Sequence, residues 1–137
     1  MTTYPPESSN DLHATALATD SFSRANCTLA YLHCSGAAPA ASIVCLHGLA
    51  SNATRWREFM SHSRLCAQAE LLAPDLRGHG RSMTFRPYTR QDWCDDLAAL
   101  LESRQRPALI IGHSLGAQIA LDHASRQPPN LLGLVLI

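Results

Sequence analysis

Lysine is missing from this 137-residue chain; all 11 of its basic side chains are arginines. Without a side-chain amine, Schiff-base chemistry and a serine–lysine catalytic pair are excluded. Charge of either sign is sparse. Charged residues make up 16% of the chain, 11 acidic against 11 basic, and the formal net charge is zero. Nothing in that balance draws the chain toward nucleic acid or an anionic membrane. No apolar run approaches the roughly 18 residues of a membrane span. The first 25 residues, MTTYPPESSNDLHATALATDSFSRA, hold no apolar segment of the secretory kind. The five cysteines, Cys27, Cys34, Cys45, Cys66 and Cys94, are odd in number and never fall as C-x-x-C. The expectation is therefore reduced thiols in a cytoplasmic protein, not a disulfide framework. Cys45 lies inside an apolar run and reads as a small core hydrophobe. His13, His33 and His62 lack metal-ligand spacing.

What the chain has is apolar patterning. Hydrophobic residues make up 46%, and the length suits one domain or part of a larger one. Residues 1–21 are polar, with Pro-Pro and a serine-rich patch, and are expected to form a flexible arm ahead of a domain over 22–137. CTLAYLHC (27–34) alternates as a strand. SIVCLHG (42–48) is a short continuous apolar run, as in a strand buried on both faces. The next segment places Trp56, Phe59 and Met60 on one helical face. AELLAPD (69–75) is a strand, and DLRGHGRSMTFRP (75–87) a long loop. Thr89 and Asp92 stand in capping-box spacing at the start of a helix, with Trp93, Leu97 and Leu100 on its apolar stripe. Both stripes read as core. ALIIGH is a strand, LGAQIALDHASRQ a helix ended by Pro128-Pro129, and LLGLVLI (131–137) a final strand. Such alternation implies α/β architecture: a mostly parallel sheet with flanking helices.

The stretch ALIIGHSLGAQIA (108–120) carries the chemistry. Gly-x-Ser-x-Gly arises by chance in roughly 5% of chains this long, but here it sits between an apolar strand and a helix, where a nucleophilic serine belongs. So sharp a turn needs Gly112 and Gly116, because residues two before and two after the serine crowd each other. The Ser114 hydroxyl would project above the sheet edge. The backbone N–H of Leu115, at the helix N-terminus, could meet a developing oxyanion. A second donor is expected where the strand ending in His47-Gly48 turns, from the N–H of Leu49, with His47 bracing that loop.

The segments CLHGLASNATRW, APDLRGHGRS, IIGHSLGAQIA and LVLI resemble, in order and separation, those of the α/β-hydrolase family, over about Phe22 to Ile137. The resemblance implies Ser114 as nucleophile and Leu49 and Leu115 as backbone oxyanion donors. It also implies the front portion of an eight-stranded sheet, with strands up to about the sixth. A serine at the elbow points to ester, thioester, lactone or related acyl bonds, and no metal or organic cofactor is implied. The substrate would be a small acyl compound.

The family's order is Ser, then Asp or Glu, then His. After Ser114 the only acid is Asp122 and the only histidine His123. Asp122 lies about 12 Å along the expected helix, out of reach of the hydroxyl. His47, His79 and His113 share the same sheet edge but read as loop braces or neighbours, and Asp75 as a loop anchor. The expectation is that the triad acid and histidine are not in this chain, which is then a fragment or a truncated product. The alternative is a non-catalytic relative, inert or binding a partner through its open sheet edge. That edge would favour self-association.

Overall fold

The computed structural model describes residues 15–24, 26–84 and 86–137. Most of the expected arm, residues 1–14, lies outside them. The described residues form six strands, β1 (Ala18–Arg24), β2 (Cys27–Cys34), β3 (Ala41–Leu46), β4 (Ala69–Pro74), β5 (Ala108–Gly112) and β6 (Leu131–Leu136). Three helices accompany them: α1 (Arg57–His62), α2 (Arg90–Arg104) and α3 (Leu115–Ser125). All strands belong to one sheet in the order β1-β2-β4-β3-β5-β6. β1, β2 and β4 pair antiparallel; β4, β3, β5 and β6 run parallel. The mostly parallel α/β sheet expected from the alternation is present.

β3 shows why the sheet carries a helical layer on each face. Its residues are buried from Ser42 to Leu46, and successive side chains point to opposite faces. Ile43 and Cys45 join Trp56, Met60 and Ile111 in one core, while Val44 and Leu46 join Leu97, Leu100, Ile110 and Ile119 in the other. α1 therefore covers one face, and α2 and α3 the other. Burial pushes the Cys45 thiol up to about 12, the behaviour of an inert core group. α2 begins as its spacing predicts: the Asp92 carboxylate accepts from the Thr89 N–H at 2.7 Å and from its hydroxyl at 2.9 Å. No helix among the described residues is long and apolar enough to cross a membrane.

Two expectations change. The sheet starts inside the segment assigned to the arm: β1 takes in residues 18–21, Leu17 packs on the α1-side core, and the Thr15 N–H donates to the Ser61 carbonyl at 2.7 Å. β1 is an edge strand of mostly exposed polar residues. It exists because it pairs with β2, and it leaves no hydrophobic period to read. The second change concerns the cysteines. Cys34, at the end of β2, and Cys66, in a 3₁₀ turn at Arg64–Ala67, form a disulfide with Cα atoms 5.8 Å apart, inside the usual span for such bonds. The pair is 32 residues apart in sequence, so only the fold brings it together. Cys27, Cys45 and Cys94 are free and buried.

The disulfide closes a loop long enough to stabilise the chain by about 2–4 kcal/mol. In denaturant without reductant, three thiols and not five are expected to react with an aromatic disulfide reagent. Reduction should lower the urea midpoint accordingly. Five reactive thiols in unreduced protein would remove the bond from the structure.

Candidate active site

Where the parallel strands β3 and β5 lie side by side, Leu46 stands opposite Gly112. Beyond them the chain leaves toward opposite faces, β3 into α1 and β5 into α3. A crevice opens between two such departures, the usual ligand position in doubly wound sheets. His47-Gly48 and His113-Ser114 are its two lips. The junction is tight: a Cβ built on Gly48 would lie 3.0 Å from His113 Nδ1 and 3.4 Å from Ser114 Cβ. Leu49, exposed, follows directly on that turn.

Ser114 has φ 53° and ψ −111°, a combination outside the wells that ordinary side chains occupy, costing about 1–3 kcal/mol. Its surroundings hold it there. The Ser114 N–H donates to the Ile137 carbonyl and the His113 N–H to that of Leu46, at 2.9 and 3.0 Å. The Ser114 carbonyl accepts from Ala117 and Gln118 as α3 begins. The two glycines make the approach possible. A Cβ on Gly112 would sit 2.6 Å from the Gly116 carbonyl oxygen, and one on Gly116 would sit 2.4 Å from that of Leu46. Ser114 is exposed, and Leu115 is the first residue of α3, where amides have no intrahelical acceptor. Among the described hydrogen bonds, neither the Leu49 nor the Leu115 amide has an assigned acceptor.

The histidines and acids separate by their partners. His47 is buried and has both ring nitrogens engaged. Nδ1 lies 2.8 Å from the Gly48 carbonyl, and Nε2 accepts from the Leu76 N–H at 3.0 Å. That pattern makes it the Nδ1–H tautomer, and burial lowers its pKa. His47 ties the β3 turn to the loop after β4 and has no nitrogen left for a proton relay. His79 packs edge-on against it, ring centroids 5.2 Å apart, with Nδ1 3.2 Å from the Arg77 carbonyl. His113 Nδ1 is buried without a partner. Asp75 anchors two loops, accepting from the Ala53 N–H at 2.7 Å and the Arg81 N–H at 2.9 Å. Asp122 pairs with Arg90 through both carboxylate oxygens, and His123 lies buried in the same helix. Met83 is exposed, and Phe85 lies outside the described residues.

Sequence reading missed the fastening of the loop that bears His79. The Arg77 guanidinium donates to both oxygens of Asp96 at 2.7 and 2.8 Å, both residues buried, and the Trp93 indole donates to the Arg77 carbonyl at 2.9 Å. An arginine in a loop and an aspartate inside a helix, 19 residues apart, give no local signal that they meet.

The elbow's packing yields a paired substitution test. Gly116→Ala pushes a methyl into the Leu46 carbonyl and should destabilise by more than about 2 kcal/mol, the upper part of the overpacking range. Gly133→Ala, whose added Cβ would meet nothing nearer than Leu109 Cδ1 at 3.6 Å, should change stability by less than about 0.5 kcal/mol. Urea unfolding midpoints of the two variants measure the contrast.

The sequence profile of the alpha/beta hydrolase family matches residues 43–137. The chain is 33% identical over 98 residues to Lipase LipV of Mycobacterium tuberculosis, covering 71% of this chain and 36% of that protein. It superposes on the structure of E-2-(acetamidomethylene)succinate hydrolase with TM-score 0.75 at 28% identity, covering 87% of this chain and 43% of that one. An alpha/beta hydrolase from Novosphingobium aromaticivorans gives 0.77 at 25% identity, covering 88% and 43%. The chain spans about a third of the length of the curated relatives it matches. With the strained serine turn and the crevice between β3 and β5 already described, the profile match over most of the chain means that this protein belongs to the α/β-hydrolase family.

Proposed function

We propose that Ser114 is the nucleophile of a serine hydrolase acting on an ester, thioester, lactone or related acyl bond. The observation that carries this reading is the strained backbone of Ser114, φ 53° and ψ −111°, on an exposed residue beside the Gly48 turn. A helix that merely followed a strand would have no reason to hold a serine so. In the proposed reaction the hydroxyl oxygen attacks the acyl carbonyl carbon, and the Leu49 and Leu115 amides donate to the oxygen that becomes negative. A histidine takes the hydroxyl proton and passes it to the leaving group, and water then hydrolyses the acyl-enzyme. That histidine and its acid partner are proposed to come from outside residues 1–137. In support, both nitrogens of His47 are occupied, and Asp122 is committed to Arg90. A small acyl substrate and the absence of a nucleic-acid or membrane partner belong to the same proposal.

The test uses a fluorophosphonate probe, which bonds only to an activated serine. The 137-residue chain should react at least about 10⁴-fold more slowly than a longer gene product carrying a downstream Asp and His, since loss of the histidine base costs that much or more. Ser114→Ala should abolish the adduct in the longer product. Rapid stoichiometric labelling of the 137-residue chain would mean that one of its own histidines is the base.

A second reading rests on β6. It is the last strand of the sheet, and Leu132 and Ile137 are 63% and 64% exposed. An unpaired apolar edge is a template for another strand. We propose that the 137-residue chain self-associates there. Sedimentation velocity at micromolar concentration should give species of twice the mass or more, and Leu132→Lys with Ile137→Lys should restore the monomer. A wild-type monomer would end this reading.

A further inference from the structure

At the end of α3 far from Ser114, a hollow of about 660 Å³ lies between the ends of α2 and α3 and the start of β6. That volume falls in the range of small-molecule sites. Leu101, Ala108 and Leu131 supply an apolar wall. His123 lines the same hollow, is only 4% exposed, and its Nδ1 meets no hydrogen-bond partner. Burial foremost, then the nearby Arg126 charge, lowers the His123 pKa and disfavours its charged form.

Two guanidiniums border the hollow, and each is steadied by one arm. Arg126 Nη1 donates to Asp95 at 2.8 Å, and Arg106 Nη1 lies 3.5 Å from Glu70. Their side chains are 33% and 31% exposed, and a guanidinium has five N–H donors, so each keeps donors for a guest. Glu102 is the one acid among the lining residues, against these two cations. We propose that this hollow is a binding site, separate from the serine crevice, for a small carboxylate with an apolar body. The hydrocarbon lies along Leu101, Ala108 and Leu131, and the carboxylate accepts from Arg106 and Arg126. The site stands whether or not Ser114 is a nucleophile.

Octanoate is the probe and 1-octanol its uncharged counterpart, each titrated into the 137-residue chain and followed by amide NMR and calorimetry. Saturable 1:1 binding of octanoate is expected, with shifts centred on His123 and Leu131. The alcohol should bind at least about tenfold more weakly, the equivalent of one charge-assisted contact. The pair Arg106→Gln and Arg126→Gln should weaken octanoate by at least that factor. Four results would overturn the proposal: no saturable binding, equal affinity for the alcohol, indifference to the arginine substitutions, or shifts confined to the Ser114 crevice.

Discussion

The first turn of α3 rests directly on the end of β3, with the Gly116 backbone close enough to the Leu46 carbonyl that a single methyl would not fit. The rest of the site follows from that contact. Because the helix sits so low, the chain leaving β5 has room for only two residues, His113 and Ser114, between the Gly112 strand end and the helix start at Leu115. The second of them must turn through a backbone region that side chains avoid. Ser114 is the residue, and its strain is balanced by the hydrogen bonds on both sides of it. A bulkier pair at 112 and 116 would lift the helix, relax the turn and carry the hydroxyl elsewhere. Close packing of backbone on backbone thus places a functional group without a side-chain contact to hold it.

Around this junction the fold spends its buried polar groups on loops. His47 bridges the β3 turn to the loop after β4 in a single neutral tautomer. Asp75 ties that loop to the 3₁₀ turn before α1. Arg77 and Asp96 fasten it to α2. Buried ion pairs gain little net stability because both charges give up water, and their use here is positional: each joins a crevice loop to a rigid element. With no lysine in the chain, every side-chain cation is a planar fork. The two-pronged pairs Arg77–Asp96 and Arg90–Asp122 use that geometry, which an ammonium group could not reproduce.

The strands and the elbow were legible because their signals are local. A strand buried on both faces must be apolar throughout, and SIVCL is. A serine turn under a low helix must have glycine on either side, and Gly112 and Gly116 flank Ser114. Thr89 and Asp92 marked the start of α2 through bonds three residues long. β1 was not legible, since its polar residues are strand only by virtue of β2 beside them. Nor was the Cys34–Cys66 bond, which needs β2 and the turn after α1 to be neighbours first.

By itself, then, the sequence determined the order of elements, the two-sided core and the position of the serine turn, all of which depend on spacings shorter than one helix or one strand. Tertiary structure decided which distant groups meet. The strand order β4-β3-β5 brings Gly48 against Ser114 across 66 residues, sets Arg77 on Asp96, and spends both nitrogens of His47 on the scaffold. Those outcomes follow from crossover connections and backbone approach, and no window of neighbouring residues encodes them.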